Sequence, residues 1–400
     1  LRINIPKKNK RIKNMHIKEV RSYYEIQEFH NITYTLYKNE KTWIPHIKQE
    51  IENIFNPSRN SFHNHGEIER FILQNNNNTV GRIAVFINEK SKNKSNQSTG
   101  GIGFFECENN QKYANKLFNH AIEWLQKRDI EAMDGPINFG EKDKYWGLMV
   151  EGFDKHTVYG QNHHLYYYKE LFETFGFKGY YNQHVYCKDL HVPYPDKFYE
   201  RAERIKTREN ITFRHMVGND YKKYAQYFIT VYNAAWGSHY NFKPMKLEQA
   251  EKIFTKMKMV IDKQLIWFVF YKEAPVAFFL GIPDPNQYLK YINGNLNWVG
   301  KLKVLFSKLF IRPNVVSAMV FGVIPKFQKL GIESALADHT SNIMKQNGYR
   351  YVVQTWIGDF NPKMIKVCES FFQSDVYQKL TTYRYLFNRK SPFEKHPIIK

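Results

Sequence analysis

The sequence predicts a mixed α/β fold, helices on a mixed sheet, in which one unit of strands and helices occurs twice in tandem. Two observations carry this. Short segments rich in Val, Ile, Phe and Tyr interchange with stretches whose apolar residues recur at helical spacing. The order strand, helix, helix, hairpin, strand, helix, strand, helix, strand then describes a unit present twice, at an offset of roughly 190 residues. With 400 residues, 42% hydrophobic and 16% aromatic, the chain has the material for about two or three cored domains and is not a disordered polymer.

In the first half, residues 17–20 read as a short strand and 21–43 as a helix. Residues 69–75 and 79–88 are strands flanking the polar run Asn75 to Asn78, a hairpin with a tight Asn-rich turn. Residues 91–101 form a polar loop and 101–107 another strand. Residues 112–128 place Leu117, Ala121, Ile122 and Leu125 on one helical face. A strand over 131–137, a helix over 164–175 stopped by Gly176 and a closing strand over 179–190 complete this half.

The second half repeats the pattern. Strand 211–217 precedes helices 220–236 and 247–261, and 264–282 reads as a hairpin. Strand 315–323, helix 334–346, strand 349–357, helix 362–372 and strand 380–387 follow. The expected organisation is a basic arm over 1–14, an N-terminal domain over 15–190, a linker over 191–209 containing Pro193 and Pro195, a C-terminal domain over 210–389 and a tail over 390–400.

The net charge is +21, which calls for acidic partners: nucleic acid, an anionic membrane surface or an anionic cofactor. Part of the excess lies at the front, where Arg2, Lys7, Lys8, Lys10, Arg11, Lys13 and Lys18 precede the first acidic residue, Glu19. That arm reads as a solvated tail. Cys107, Cys187 and Cys368 lie far apart with no C-x-x-C spacing, against a zinc ribbon or a disulfide framework and in keeping with a reducing cytoplasm. No window has the ~18 apolar residues of a membrane span, and no signal-peptide stretch opens the sequence. The expected location is cytoplasmic, with peripheral membrane contact kept open.

The most informative segment runs from Val323 to Leu336 and joins a strand directly to a helix. Such a turn presents backbone N–H groups at the positive end of the helix dipole and forms an anion site. Gly331 lets the backbone approach a phosphate, and Gln328 and Lys329 add donors.

This segment resembles the acyl-CoA-binding motif of the GNAT acyltransferase superfamily, Q/R-x-x-G-x-G/A, whose backbone amides hold the cofactor pyrophosphate. Gln328, Gly331, Val323 and Pro325 match, while Glu333 stands where the family has Gly or Ala, making phosphate approach tighter or electrostatically less favourable. The resemblance implies two tandem GNAT-like domains. It assigns acetyl-CoA or a longer acyl-CoA, without a metal, to Phe321, Val323, Gln328, Lys329, Leu330, Gly331, Ile332, Glu333 and Ser334. It adds Asn361, where the family often has an Asn bonding the pantetheine arm. Seven residues on, where the family commonly has a Tyr that protonates the leaving thiolate, this chain has Cys368, expected to be buried and inert. Another group or water then supplies the proton. The corresponding turn of the first half has no Gly and carries Glu106 and Glu108 near the phosphate position, so that copy is not expected to bind CoA.

The first half retains a loop over 135–154, rich in Gly, charge and aromatic residues. It resembles a motif of bacterial tandem-GNAT proteins, some of which N-acylate long-chain amine lipids, as in bacterial ceramide synthesis. Asn138, Trp146 and Glu151 on this loop, with Tyr159 and Asn162 beyond it, are the expected acceptor-binding residues. Trp236 joins them, or is a core tryptophan. Amine acylation needs a base and carbonyl-polarising donors. Glu141 and Asp143 are the candidate bases, unless they merely pair with Lys142 and Lys144; the donors are backbone N–H groups near Phe321 to Val323.

Residues 299–313 put Leu302, Leu305, Phe306, Leu309 and Phe310 on one helical face, with Lys301, Lys303, Lys308 and Arg312 around it. This is either a membrane-interface helix or one packed on its own core. His163 and His164 are adjacent and cannot form an i, i+4 metal pair; they read as loop or cap residues. The function expected is acyl transfer from acyl-CoA to an amine, a long-chain or lipid amine favoured. A noncatalytic acyl-CoA sensor and a basic nucleic-acid-binding protein are the alternatives, the last lacking any recognisable reader motif.

Overall fold

A computed structural model describes residues 15–237, 243–258 and 261–399. The basic arm over 1–14 lies outside the described residues, as do 238–242 and 259–260 within and beside the expected second-half helices. The chain divides into two compact units. The N-terminal unit takes residues up to 153, 160–182 and 380–396, and the C-terminal unit takes 154–159, 183–379 and 397–400.

In the N-terminal unit, β1 (Met15–Glu19) leads into α1 (Tyr23–Leu36), α2 (Lys48–Phe55), β2 (Gly66–Asn75), β3 (Asn78–Asn88), β4 (Thr99–Cys107), α3 (Gln111–Gln126), β5 (Ala132–Gly135), β6 (Leu148–Glu151) and α4 (Tyr168–Phe175). Next comes β7 (Lys178–Asp189), which the unit boundary divides at Asn182. Helix α1 starts where it does because Ser22 caps it: its Oγ accepts the Glu25 N–H at 3.3 Å, and Glu25 returns a bond to the Ser22 N–H at 2.8 Å. Helix α4 ends at Gly176, whose φ of 109° favours glycine. The sheet runs β1-β2-β3-β4-β5 and is closed by residues 383–386 at the far end of the sequence, antiparallel to β5. Strand β3 is buried on both faces, so its side chains form an apolar run rather than an alternation. Leu117, Phe118 and Ala121 of α3 cover one face, and Phe29 and Ile51 of α1 and α2 pack with Ile72 on the other.

In the C-terminal unit, the later part of β7 is followed by α5 (Asp196–Lys206), β8 (Ile211–His215), α6 (Tyr221–Trp236), α7 (Leu247–Met257), β9 (Ile266–Tyr271), β10 (Ala274–Pro283), α8 (Asn286–Leu289), α9 (Trp298–Phe310), β11 (Val315–Val323), α10 (Ile332–Gln346), β12 (Tyr351–Gly358) and α11 (Pro362–Lys366). The last strand, β13 (Asp375–Leu386), is shared in sequence between the units. The sheet order is β7-β12-β11-β10-β9-β8. Ile332, Ala335 and Leu336 of α10, with Ala202 and Ile205 of α5, bury one face; Phe228 and Val231 of α6 and Phe254 of α7 bury the other against Phe268 and Phe278. Each of these fully buried phenylalanines contributes about 2–3 kcal/mol of burial.

The stretch read as a linker therefore contains a helix. Helix α5 buries only Phe198, Ala202 and Ile205, a three-residue stripe among charged neighbours, and Pro195 stands at its N-cap instead of breaking it. Helix α4 begins four residues later than the period suggests, because His163 and His164 lie buried in the extended segment before it.

Just past β10, Asp284 fastens residues 154–159 to the C-terminal unit. Its carboxylate accepts the Tyr159 N–H at 2.9 Å, and the neighbouring Asn286 amide donates to the Thr157 carbonyl at 2.7 Å. Burial holds the Asp284 carboxyl up, at about 6. Because the folded state favours the protonated acid, stability falls as pH rises from about 4 to about 6 and is level above, a loss of about 3 kcal/mol. Asp284→Asn should remove most of that slope in urea melts run between pH 4 and pH 7; an unchanged slope would assign it to other groups.

Candidate functional site

Among the described residues the C-terminal unit has one parallel strand pair, β11 with β12, and it is short. Register is kept only from Val315 against Tyr351 to Ala318 against Gln354; past that point the strands part. Met319 is the bulged residue, since Val320 faces Leu280 and Ala318 already faces Gly281. On its other edge β11 stays paired with β10, and the Ile324 N–H bond to the Val276 carbonyl, 3.0 Å, fixes the phase. In an antiparallel pair alternate residues turn their N–H and C=O groups to the partner. Gly322 therefore faces β10, while Phe321 and Val323 turn theirs toward the opening between β11 and β12. The side chain of Gln328 folds back to donate its Nε2–H to the Val323 carbonyl at 2.9 Å.

A short turn, Pro325–Phe327, and an exposed loop then lead into α10. Lys329 has φ 62° and Gly331 φ 104°. A Cβ at Gly331 would lie 2.9 Å from the Arg201 carbonyl and 3.2 Å from Ile205. The glycine is thus required by its conformation and by the close passage of α5, a reason in addition to the expected phosphate approach. Arg204 of α5 donates to the Leu330 carbonyl at 3.2 Å. Ile332 and Ser334 are buried, so neither side chain is offered to an external anion. Glu333 bends back so that its Oε1 accepts the Lys329 N–H at 3.2 Å. Its carboxylate thus already occupies part of the positive end of α10.

Asn361 caps α11, its Oδ1 accepting the Met364 N–H at 3.3 Å. Cys368 is buried, and burial pushes its thiol up to about 12, so it stays protonated. Beside it is a tyrosine the sequence did not single out: Tyr186 of β7, fully buried, donates its OH to Glu369 at 2.8 Å. Trp236, half-buried at the end of α6, stacks on Tyr232 with centroids 4.7 Å apart. A Cβ on Gly322 would come within 2.8 Å of its ring, so Trp236 packs against β11 at Gly322.

The N-terminal unit has the same parting strands but a filled opening. Strands β4 and β5 pair only from Thr99 to Gly101, and Phe104, φ 50°, marks the bulge. The Glu108 N–H bond to Val80, 3.0 Å, sets the phase, so Cys107 turns its backbone toward the opening. There the Tyr168 OH accepts the Cys107 N–H at 3.1 Å and the Tyr167 OH donates to the Cys107 carbonyl at 2.7 Å. Glu106 is not at a phosphate position. It is buried, accepting Tyr37 OH at 2.9 Å and Tyr168 OH at 2.8 Å and facing Arg82 at 3.4 Å. Burial raises its carboxyl against the pull of Arg82. The positive end of α3 is closed by Asn110, which accepts the Lys112 N–H at 3.0 Å.

Within this unit His30, His46, His163 and His164 line a pocket with Arg82 and Asn162. Burial first, and then neighbouring positive charge, pushes His46 and His164 down to about 3, so both are neutral; the His164 Nδ1 accepts the Met149 N–H at 3.0 Å. Local spacing could not have shown this cluster, whose members come from α1, the segment before α2 and the segment before α4.

The residues expected to meet the acceptor are dispersed. Glu141 and Asp143 are exposed, and Lys144, their supposed alternative partner, pairs with Glu50 at 3.1 Å. Trp146 is buried and donates to Tyr181 OH at 2.7 Å, and Asn162 donates to the Gly147 carbonyl at 2.9 Å. Asn138 is buried, whereas Glu151 is exposed. Tyr159 belongs to the C-terminal unit through Asp284.

Replacing Glu333 by Ala should free the Lys329 N–H and remove the negative charge, tightening CoA about fivefold by calorimetry, or about 1 kcal/mol. Weaker binding would show that Glu333 instead shapes the loop for the cofactor.

No protein-family model matches the chain. It is 23% identical over 353 residues to a bacterial ceramide synthase of Caulobacter vibrioides, covering 86% of this chain and 91% of that one. It is 21% identical over 295 residues to Protein YghO of Escherichia coli, covering 74% and 75%. A solved tandem GNAT protein from the clavulanic acid biosynthesis pathway matches 94% of this chain and 100% of that one with a TM-score of 0.53 at 8% identity. No helix among the described residues is long and apolar enough to cross a membrane. The parting strand pair found in both units, with these likenesses, makes the chain a tandem GNAT-fold protein with a bacterial ceramide synthase among its sequence relatives.

Proposed function

We propose that the chain is an N-acyltransferase that moves an acyl group from acyl-CoA to an amine, with a long-chain or lipid amine as acceptor. The observation that carries this reading is the β11–β12 opening, with the Phe321 and Val323 amides turned into it and the 328–334 loop at the positive end of α10. The lipid acceptor is supported by the likeness to a ceramide synthase over most of both chains.

In this reading the C-terminal unit holds acyl-CoA. Loop and first-turn N–H groups take the phosphates, and Asn361 meets the pantetheine arm. The N-terminal unit, whose own opening is closed by Tyr167 and Tyr168, serves the acceptor through its loop and the pocket lined by the neutral His46 and His164. The amine, once neutral, attacks the thioester carbonyl carbon. The carbonyl electron pair moves onto oxygen, where strand N–H groups near Phe321 to Val323 stabilise it. Collapse re-forms the carbonyl and breaks the C–S bond, releasing CoA thiolate, which takes a proton from water. Glu141 and Asp143, exposed on their loop, are the candidate groups for taking the nitrogen's proton. The protonated thiol of Cys368 takes no part.

Titration with acetyl-CoA and palmitoyl-CoA should give saturable heats, weakened about tenfold by Gln328→Ala, which removes the latch on Val323; a native chain binding neither ligand would defeat the cofactor assignment. In single-turnover assays with a long-chain amine, Glu141→Gln or Asp143→Asn should slow amide formation about tenfold or more. If both variants kept the native rate, the base would lie elsewhere. A second reading, an acyl-CoA sensor, is favoured by the self-occupied loop at Glu333; it is identified by binding without any amide product.

A further inference from the structure

The apolar face of α9 looks outward. In this thirteen-residue helix only Gly300 is buried, and Val304 and Ser307 are partly covered. The large apolar residues are the exposed ones: Trp298 74%, Leu302 46%, Leu305 58%, Phe306 60%, Leu309 72% and Phe310 81%. A helix packed on its own core would bury this set, so that reading of the segment is overturned.

The start of the helix is fixed by the segment that leads into it. Asn297 caps it by accepting the Gly300 N–H at 2.9 Å, and a Cβ on Gly300 would lie 2.0 Å from the Asn295 carbonyl, so the first turn packs closely on that segment; further along, the Lys308 ammonium lies 5.8 Å from the Tyr288 ring of α8. At about 100° per residue, Gly300, Val304, Ser307 and Ile311 fall on the body side. The exposed apolar residues span an arc of about 140° opposite them, Lys303 borders one edge of the arc, and Lys301 and Lys308 border the other. An apolar arc edged on both sides by lysines and presented to solvent is the geometry of a helix lying in a bilayer interface, with Trp and Phe at headgroup depth.

Charge selects the partner. From residue 285 to residue 332 the sequence has no Asp or Glu but carries Lys290, Lys301, Lys303, Lys308, Arg312, Lys326 and Lys329. A second copy docked on this face would oppose the same lysines across a symmetric contact, whereas anionic lipid headgroups neutralise them. We infer that α9 docks the protein on an anionic bilayer surface, its apolar arc among the acyl chains and its lysines on lipid phosphates. This goes beyond the proposed acyl transfer and does not depend on it.

The test is co-sedimentation of the full chain with vesicles of palmitoyl-oleoyl phosphatidylcholine alone or with about 30 mol% of the phosphatidylglycerol analogue. Partition onto the anionic vesicles should be at least about tenfold greater and should weaken with salt. Phe306→Asp and Phe310→Asp should each cut it about tenfold. Lys301→Gln with Lys303→Gln and Lys308→Gln should remove the anionic preference. Because these side chains are exposed, the thermal transitions of the variants should stay at the native temperature, separating lost docking from lost folding. Binding indifferent to both lipid charge and the Asp substitutions would overturn the inference. So would a concentration-dependent dimer that Phe310→Asp dissociates in a protein that ignores vesicles.

Discussion

A parallel strand pair that separates after a few residues leaves backbone N–H and C=O groups that must find other partners, since buried unpaired groups cost about 1–3 kcal/mol each. Both units impose this constraint on themselves, at β4–β5 and at β11–β12. They meet it differently. The N-terminal unit spends Tyr168 of α4 and Tyr167 just before it on the Cys107 amide and carbonyl, which seals the opening from within. In the C-terminal unit Gln328 satisfies the Val323 carbonyl, while the Phe321 and Val323 N–H groups face the opening. The same backbone problem is solved by side chains in one copy and leaves N–H groups turned into the opening in the other.

Once its opening was filled, the N-terminal copy could turn its interior to other uses. Glu106 gathers Tyr37, Tyr168 and Arg82 into one buried network, which fixes α1, β3, β4 and α4 to each other. Next to it His46 and His164 stay neutral because burial, and then nearby positive charge, oppose protonation. A neutral imidazole accepts or donates a hydrogen bond without carrying charge, which suits positioning of a polar group better than ion pairing.

The elements with a clean period were legible in the sequence, because helix and strand spacing are local properties: the 101–107 strand, the helix begun near Lys112 and the hairpin of β9 and β10 all stand where their apolar residues place them. Helix α5 was hidden because three buried residues among charged ones make a weak stripe, and two prolines suggested a linker. The candidate cofactor loop was legible because glycine and glutamine at fixed spacing after a strand carry backbone meaning. Its second constraint, the Arg201 carbonyl 2.9 Å from a Cβ at Gly331, is a tertiary contact and has no local signature. The histidine pocket is hidden for the same reason. Trp146 and Asn162, read as acceptor contacts, spend their donors on Tyr181 and Gly147, which a spacing argument cannot distinguish from reaching a ligand.

Gly331 and Glu333 together decide how the loop behaves before a cofactor arrives. The positive φ at Gly331 and the α5 backbone beneath it fix where α10 begins, so the helix's free N–H groups point in a set direction at all times. The Glu333 carboxylate holds the Lys329 N–H through an exposed, solvent-screened bond of modest strength. If the loop takes the pyrophosphate proposed for it, that group carries more charge and more acceptor atoms than one carboxylate and would win the same donors as the side chain turned into water. With the start of α10 already fixed at Gly331, that exchange would cost only the carboxylate's local interaction. A glutamate in place of a small residue would then lower affinity for the anion without dismantling the site.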